Sequence, residues 1–86
     1  MFYVYIIKSV KSNQLYFGST SDLRRRPAEH NSGLSPHTKK HMPYKLIYYE
    51  AYRSEIDARK RESNLKLRAN AFNQLKRRIV ASLKAD

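Results

Sequence analysis

Two residues of this sequence are best placed to do chemistry: one carboxylate and one guanidinium, far apart in the chain, each at the edge of an apolar helical face. Glu62 lies in the stretch Ala58-Arg59-Lys60-Arg61-Glu62-Ser63-Asn64-Leu65-Lys66. At about 100° per residue it falls within roughly 60° of the direction shared by Ala58 and Leu65. Arg26 and His30 form an i, i+4 pair that flanks Leu23, whereas Arg25 and Glu29 point away and read as a solvent-side pair. Polar groups at the margin of a buried stripe must find partners or enclose a wet site. An arginine from one helix and a glutamate from another, both facing a sheet, can close a partly buried ion pair or line a cleft. The residue pattern allows both.

Two tyrosine-bearing segments accompany this pair, Phe2-Tyr3-Val4-Tyr5-Ile6-Ile7 and Leu15-Tyr16-Phe17-Gly18. Tyr5 and Tyr16 read either as core aromatics with satisfied hydroxyls or as groups that handle a proton. His30, taken alone, is a histidine at the negative end of a helix dipole. His37 and His41 have the i, i+4 spacing of a metal pair, but no third ligand of suitable spacing goes with them. The basic runs Arg24-Arg25-Arg26 and Lys76-Arg77-Arg78 are solvated faces unless they border a cleft, where they clamp phosphates.

The elements that must position these groups follow from pattern. Residues 2–8 are aromatic and β-branched, with apolar side chains on both parities, so they read as a strand covered on both faces. Lys11-Ser12-Asn13-Gln14 is a polar turn, and residues 15–18 return as the second strand of a hairpin. Gly18 ends that strand where the backbone must be approached closely or bend. A first helix is expected from an N-cap at Ser21, with Asp22 in its first turn, to Asn31-Ser32-Gly33. Pro27 inside it predicts a kink. Residues 34–43 read as a loop and Tyr44 to Tyr52 as a third strand. A second helix opens at Ser54, with Asp57 as a capping-box partner, and runs to Leu67. Asn70 is the expected cap of a third helix, whose Phe72, Leu75, Ile79 and Leu83 form an apolar stripe. The expected architecture is α+β, a three-stranded antiparallel sheet flanked by helices in the order β-β-α-β-α-α.

Bulk properties narrow the partners. Eighty-six residues make one domain, residues 1–86, and the hydrophobic fraction of 41% suits a small globular core. There is no cysteine, which excludes disulfides and thiolate metal sites. The start has no basic n-region and no apolar run approaches the ~18 residues of a membrane span, so a cytoplasmic protein without membrane attachment is expected. Eighteen Lys and Arg against seven Asp and Glu leave a net charge of +11. That excess points to a polyanion, with nucleic acid first, because phosphate contacts release condensed counterions. Nothing fixes an oligomeric state.

The same residues, in order, resemble a standalone GIY-YIG nuclease domain, the small bacterial type similar to the N-terminal nuclease module of the excision-repair enzyme UvrC. Tyr3-Val4-Tyr5 stands for Gly-Ile-Tyr, and Tyr16-Phe17-Gly18 for Tyr-Ile-Gly. Gly18 to Arg26 is similar to the family's strand-to-helix segment, which closes on a catalytic arginine. His30 to Gly33 and the strand from Pro43 to Glu50 also fit, and residues 58–66 are like the helix bearing the metal-binding glutamate. Three positions depart from the pattern: Tyr3 replaces the first glycine, Pro27 follows the key arginine, and Ser19 stands where excision-repair relatives carry lysine.

The resemblance implies a metal-dependent endonuclease that hydrolyses phosphodiester bonds in DNA, with RNA still open, in repair or recombination. It implies one divalent cation, Mg2+ or Mn2+, with Glu62 as its sole protein ligand. Tyr5 or Tyr16 would orient or deprotonate the attacking water, Arg26 would hold the non-bridging oxygens, and His30 would relay a proton or bind phosphate. Arg24, Arg25, Lys39, Lys40 and Lys66 are the expected contacts to the nucleic-acid backbone. The Pro27 and Ser19 departures keep a second reading alive, a basic nucleic-acid-binding module whose nuclease site has decayed.

Overall fold

The central strand, β1 (Phe2–Ser9), owes its place to the lack of a polar parity. Val4, Tyr5, Ile6 and Ile7 are each 0–1% exposed, so both faces of the strand are covered. The computed structural model describes residues 1–33 and 39–84. Strands β2 (Leu15–Thr20) and β3 (Tyr44–Tyr52) pair antiparallel with β1 in the order β2-β1-β3. β2 runs two residues past its expected end, so Gly18 lies inside it, opposite Tyr5. The hairpin turn is held by Ser9 Oγ, which accepts the N–H groups of Lys11 and Ser12, and by Asn13 in the left-handed region at φ 62°.

Among the described residues the helices are α1 (Arg25–Asn31), α2 (Glu55–Leu67), α3 (Ala69–Arg78) and α4 (Val80–Lys84), with a 3-10 turn at Lys39–His41 before β3. The α+β class and the antiparallel sheet agree with expectation, as does the element order apart from α4. Residues 34–38, including His37 and half of the expected loop, lie outside the described residues.

The starts of α1 and α3 differ from expectation, whereas α2 keeps its expected bounds and lacks only its capping box. α1 begins at Arg25, not after Ser21, because the Asp22 carboxylate accepts the N–H groups of Arg24 and Arg25 and holds a turn ahead of the helix. Pro27 is then the third helical residue. Its missing N–H falls in the first turn, where no intrahelical acceptor exists, so no kink is required. Ser54 occupies the cap position of α2 but makes no side-chain cap bond, so the capping box with Asp57 does not form. α3 is entered through Arg68, not Asn70, and its stripe is interrupted at Ile79 (φ −122°, ψ 32°), after which α4 restarts. The stripe itself still works: Leu75 and Ile79 are buried, with Phe72 and Leu83 packed against them.

Alternation along β1 sends its side chains into two separate cores. Val4 and Ile6 join Ala58, Leu65, Leu75 and Ile79 beneath α2 and α3. Tyr5 and Ile7 join Tyr44 on the opposite face, beside Leu23, Tyr16 and Met42. α1 is tied to this second face by Asn31, whose amide donates to the Tyr44 carbonyl (2.9 Å) while its oxygen accepts the Tyr44 N–H (2.6 Å).

One polar cluster clamps α2 to β3. The Glu50 carboxylate accepts from Arg61 Nε (3.0 Å) and Nη2 (3.1 Å), from the Tyr48 hydroxyl (2.6 Å) and from the Tyr52 hydroxyl. Burial acts to raise the Glu50 carboxyl, but the Arg61 fork and the two phenols hold it net below its ordinary value. Among the described residues, no helix is long and apolar enough to cross a membrane.

Candidate active site

Tyr5 sits at the centre of the candidate site, and Gly18 decides how it sits there. The two are cross-strand partners. A Cβ added to Gly18 would overlap the Tyr5 hydroxyl and the ring carbon that bears it, and would lie 2.9 Å from Cε2, so the phenol lies across the bare backbone of the edge strand. Gly18 therefore serves close approach, one of the two roles its type suggested. The Tyr5 hydroxyl is 2.8 Å from His30 Nε2, a buried hydrogen bond in which the imidazole tautomer sets the donor. Burial pushes the Tyr5 phenol up to about 12; the Arg26 guanidinium beside it works the other way, while Tyr16 and Glu62 add to the rise.

His30 is fully buried in the last turn of α1, with its ring centroid 4.8 Å from that of Tyr16 and 5.9 Å from that of Tyr5. Burial first, and then the Arg26 charge, lower its pKa against a smaller opposing effect of Glu29. The imidazole is neutral near pH 7. His30 is thus enclosed between two phenols rather than sitting at an open helix end.

Glu62 approaches the same edge from the opposite side of the sheet. α2 packs on the other face, and the Glu62 carboxylate reaches β2 through Ser19, whose hydroxyl donates to Oε1 at 2.7 Å. Lys66, one turn on, donates to Oε2 at 2.7 Å, and its ammonium also lies 5.9 Å from the Tyr16 ring centroid. The ammonium links the Glu62 carboxylate to a phenol of the other face.

Arg26 and Glu62 do not form the direct ion pair that their positions allowed. Arg26 is 3.7 Å from Glu29, which Arg25 also pairs with at 3.4 Å, and Glu62 takes Lys66 instead. The reason is local. Each acid has a cation three or four residues away on its own helix, and such pairs need no long-range ordering. Both reach the same stretch of β2 nonetheless: Tyr5 lies over Gly18 and bonds His30, Glu62 is held by the adjacent Ser19, the Arg26 charge bears on the Tyr5 hydroxyl, and the Tyr16 ring is tilted against His30.

The expected backbone contacts are more dispersed. Arg24 and Arg25 are exposed at the start of α1, and Lys66 is at the site itself. Lys39 and Lys40 are exposed in the 3-10 turn at the far end of the sheet, where the His41 carbonyl accepts the Ser9 hydroxyl. Ser19 was legible only as a lost cation, yet it orients Glu62. Strand parity carries that signal, since Ser19 pairs with Val4 and so faces α2.

Among the described residues, no group of three or more His, Asp or Glu side chains is arranged to hold a metal ion; His37, the expected companion of His41, lies outside them. A cation here would rest on Glu62 as a single carboxylate, completed by water and phosphate oxygens. That hard, oxygen-only donor set suits magnesium or manganese and fits the half-buried Glu62.

The profile of the GIY-YIG catalytic domain matches residues 1–77. The UPF0213 protein SH2523 of Staphylococcus haemolyticus is 42% identical over 65 residues, covering 74% of this chain and 78% of its own. The UPF0213 protein CPE1444 of Clostridium perfringens is 39% identical over 67 residues, 77% of this chain and 71% of its own. The UPF0213 protein SpyM3_1077 of Streptococcus pyogenes is 35% identical over 74 residues, 85% of this chain and 79% of its own. No solved structure matches the chain. Because the profile spans the whole sheet, α1, α2 and all but the last residue of α3, the chain belongs to the GIY-YIG family of nucleases.

Proposed function

We propose that this protein is a divalent-metal-dependent endonuclease that hydrolyses phosphodiester bonds in DNA, in repair or recombination. The observation that carries the reading is the Tyr5–His30 hydrogen bond lying within the influence of both Arg26 and Glu62. Magnesium or manganese, held by Glu62, would supply Lewis-acid polarisation of the phosphate.

The remaining roles fall to side chains of the chain itself. Arg26, tied to Glu29 only at 3.7 Å, turns its planar fork to the non-bridging oxygens as negative charge builds. Tyr5, with its phenol pushed up to about 12, keeps its proton at neutral pH and orients the attacking water by hydrogen bonding. His30, neutral at that pH, gives the departing proton an acceptor one hydrogen bond away. Tyr16 packs against His30 and fixes its ring. Arg24, Arg25 and Lys66 hold flanking phosphates, and Lys39 and Lys40 meet the backbone further along.

The test is nicking of plasmid, branched and damaged DNA in magnesium or manganese. Wild-type protein is expected to cut, and Glu62→Ala to lose cutting while still binding DNA. Equal cutting by both proteins would defeat the reading. A second reading, a binding module without cleavage, draws on the engagement of both Glu62 oxygens by Ser19 and Lys66. It predicts salt-sensitive DNA binding with no cleavage by the wild type under any of these conditions.

A further inference from the structure

The face of the sheet that carries Tyr5 continues into an aromatic ledge that the proposed chemistry leaves unused. Tyr3 lies two residues before Tyr5 on β1, and Tyr49 is the direct cross-strand neighbour of Tyr5 on β3. Their rings meet edge to face, with centroids 5.9 Å apart and planes at 71°. α1 covers Tyr5, Ile7 and Tyr44 but leaves Tyr49 51% exposed and Leu46 41% exposed. Together with Leu23 and Arg24 these residues line an open cleft of about 390 Å³. Asp22 also lines it, but its carboxylate is engaged by the N–H groups of Arg24 and Arg25.

Resting on the nuclease reading above, we infer that this cleft stacks an unpaired base of single-stranded DNA next to the bond to be cut. Paired bases in a duplex offer only their edges, so the exposed Tyr49 ring can take a base only when the base's face is free. The charge fits that occupant. Arg24 stands at the rim with Arg25 beside it, in a chain of net charge +11, so phosphates on either side of the stacked base meet guanidinium groups. The substrate class is therefore DNA with a single-stranded stretch at the cleavage point.

The experiment measures binding of short fluorescent oligodeoxynucleotides at matched salt by anisotropy, with Glu62→Ala present throughout to prevent cutting. The probes are an oligothymidylate, the same strand with abasic sites, a hairpin duplex and an oligouridylate. Tyr49→Ala is expected to weaken oligothymidylate binding about tenfold. It should leave the abasic strand and the duplex unchanged. Tyr49→Phe, which keeps the ring, should bind as Tyr49 does. Equal loss on every probe, no loss on any, or a Tyr49 dependence confined to the oligouridylate would overturn the inference. If this pattern holds while the wild type nicks no DNA, the nuclease reading fails and the stacking subsite stands.

Discussion

Val4 and Tyr5 are neighbours on the central strand and are equally buried, yet they look into differently built halves of the molecule. Val4 faces a broad apolar layer under α2 and α3, closed at one side by the Glu50–Arg61 cluster with both of its tyrosines. Tyr5 faces a thinner layer in which phenols and one imidazole stand among Ile7, Leu23 and Met42, under the seven residues of α1, with an open aromatic ledge beyond it. The two acids follow the same division. Glu50 is gripped by four donors and has no free direction in which to act, whereas Glu62 holds one hydroxyl and one exposed ammonium at an open edge. Apolar area and saturated polar groups hold the fold together; chemistry is left to the face whose polar groups retain spare capacity.

Breaking the helical face should cost stability and spare the site. Leu75→Ala removes a side chain that is 1% exposed, and the expected loss is about 2–5 kcal/mol, read as a shift in denaturant midpoint. For a domain this small that is a large share of the total. Cutting per folded molecule should stay near wild type; a fall to background would show that the two halves are not separable.

Glu50→Gln sharpens the comparison with a smaller effect, about 1.5–3 kcal/mol, by removing the charge that Arg61 and both phenols bind. Because the native Glu50 carboxyl is held below its ordinary value, its contribution is present above the ordinary carboxylate range. It fades as pH falls through that range toward the native value. The variant should therefore lose less stability on acidification than wild type, and parallel acid limbs would count against the cluster's role.

Tyr5→Phe should have the least effect on stability, about 0.5–1.5 kcal/mol for the bond to His30, because the ring still fills the space over Gly18. DNA nicking should nonetheless fall strongly with binding retained. Wild-type cutting by this variant would move water orientation to Tyr16.

Much of this architecture was legible along the chain. The double parity of residues 2–7 announced a strand covered twice, and the Phe72–Leu75–Ile79–Leu83 stripe survived the break at Ile79 because its members stay on one side of the sheet. Glu62 was readable as a group at the margin of a buried face. The start of α1 was not readable: Ser21 and Asp22 are both good caps, and only the path of the chain out of β2 lets Asp22 reach two N–H groups. The Glu50 cluster was half visible, since Tyr48, Glu50 and Tyr52 share one strand face by alternation, but the Arg61 partner required a docked helix.

Local sequence determined the element types, the division of β1 into two faces and the cationic character of the whole, because periodicity and charge are properties of neighbouring residues. The tertiary structure alone decided that Gly18 lies under a phenol, that Ser19 and Lys66 hold Glu62, and that Arg26 turns to Glu29. Each of those outcomes depends on strand register and on where a helix lands. Register and docking are set by burying area across the whole sheet, a quantity that no short stretch of residues contains.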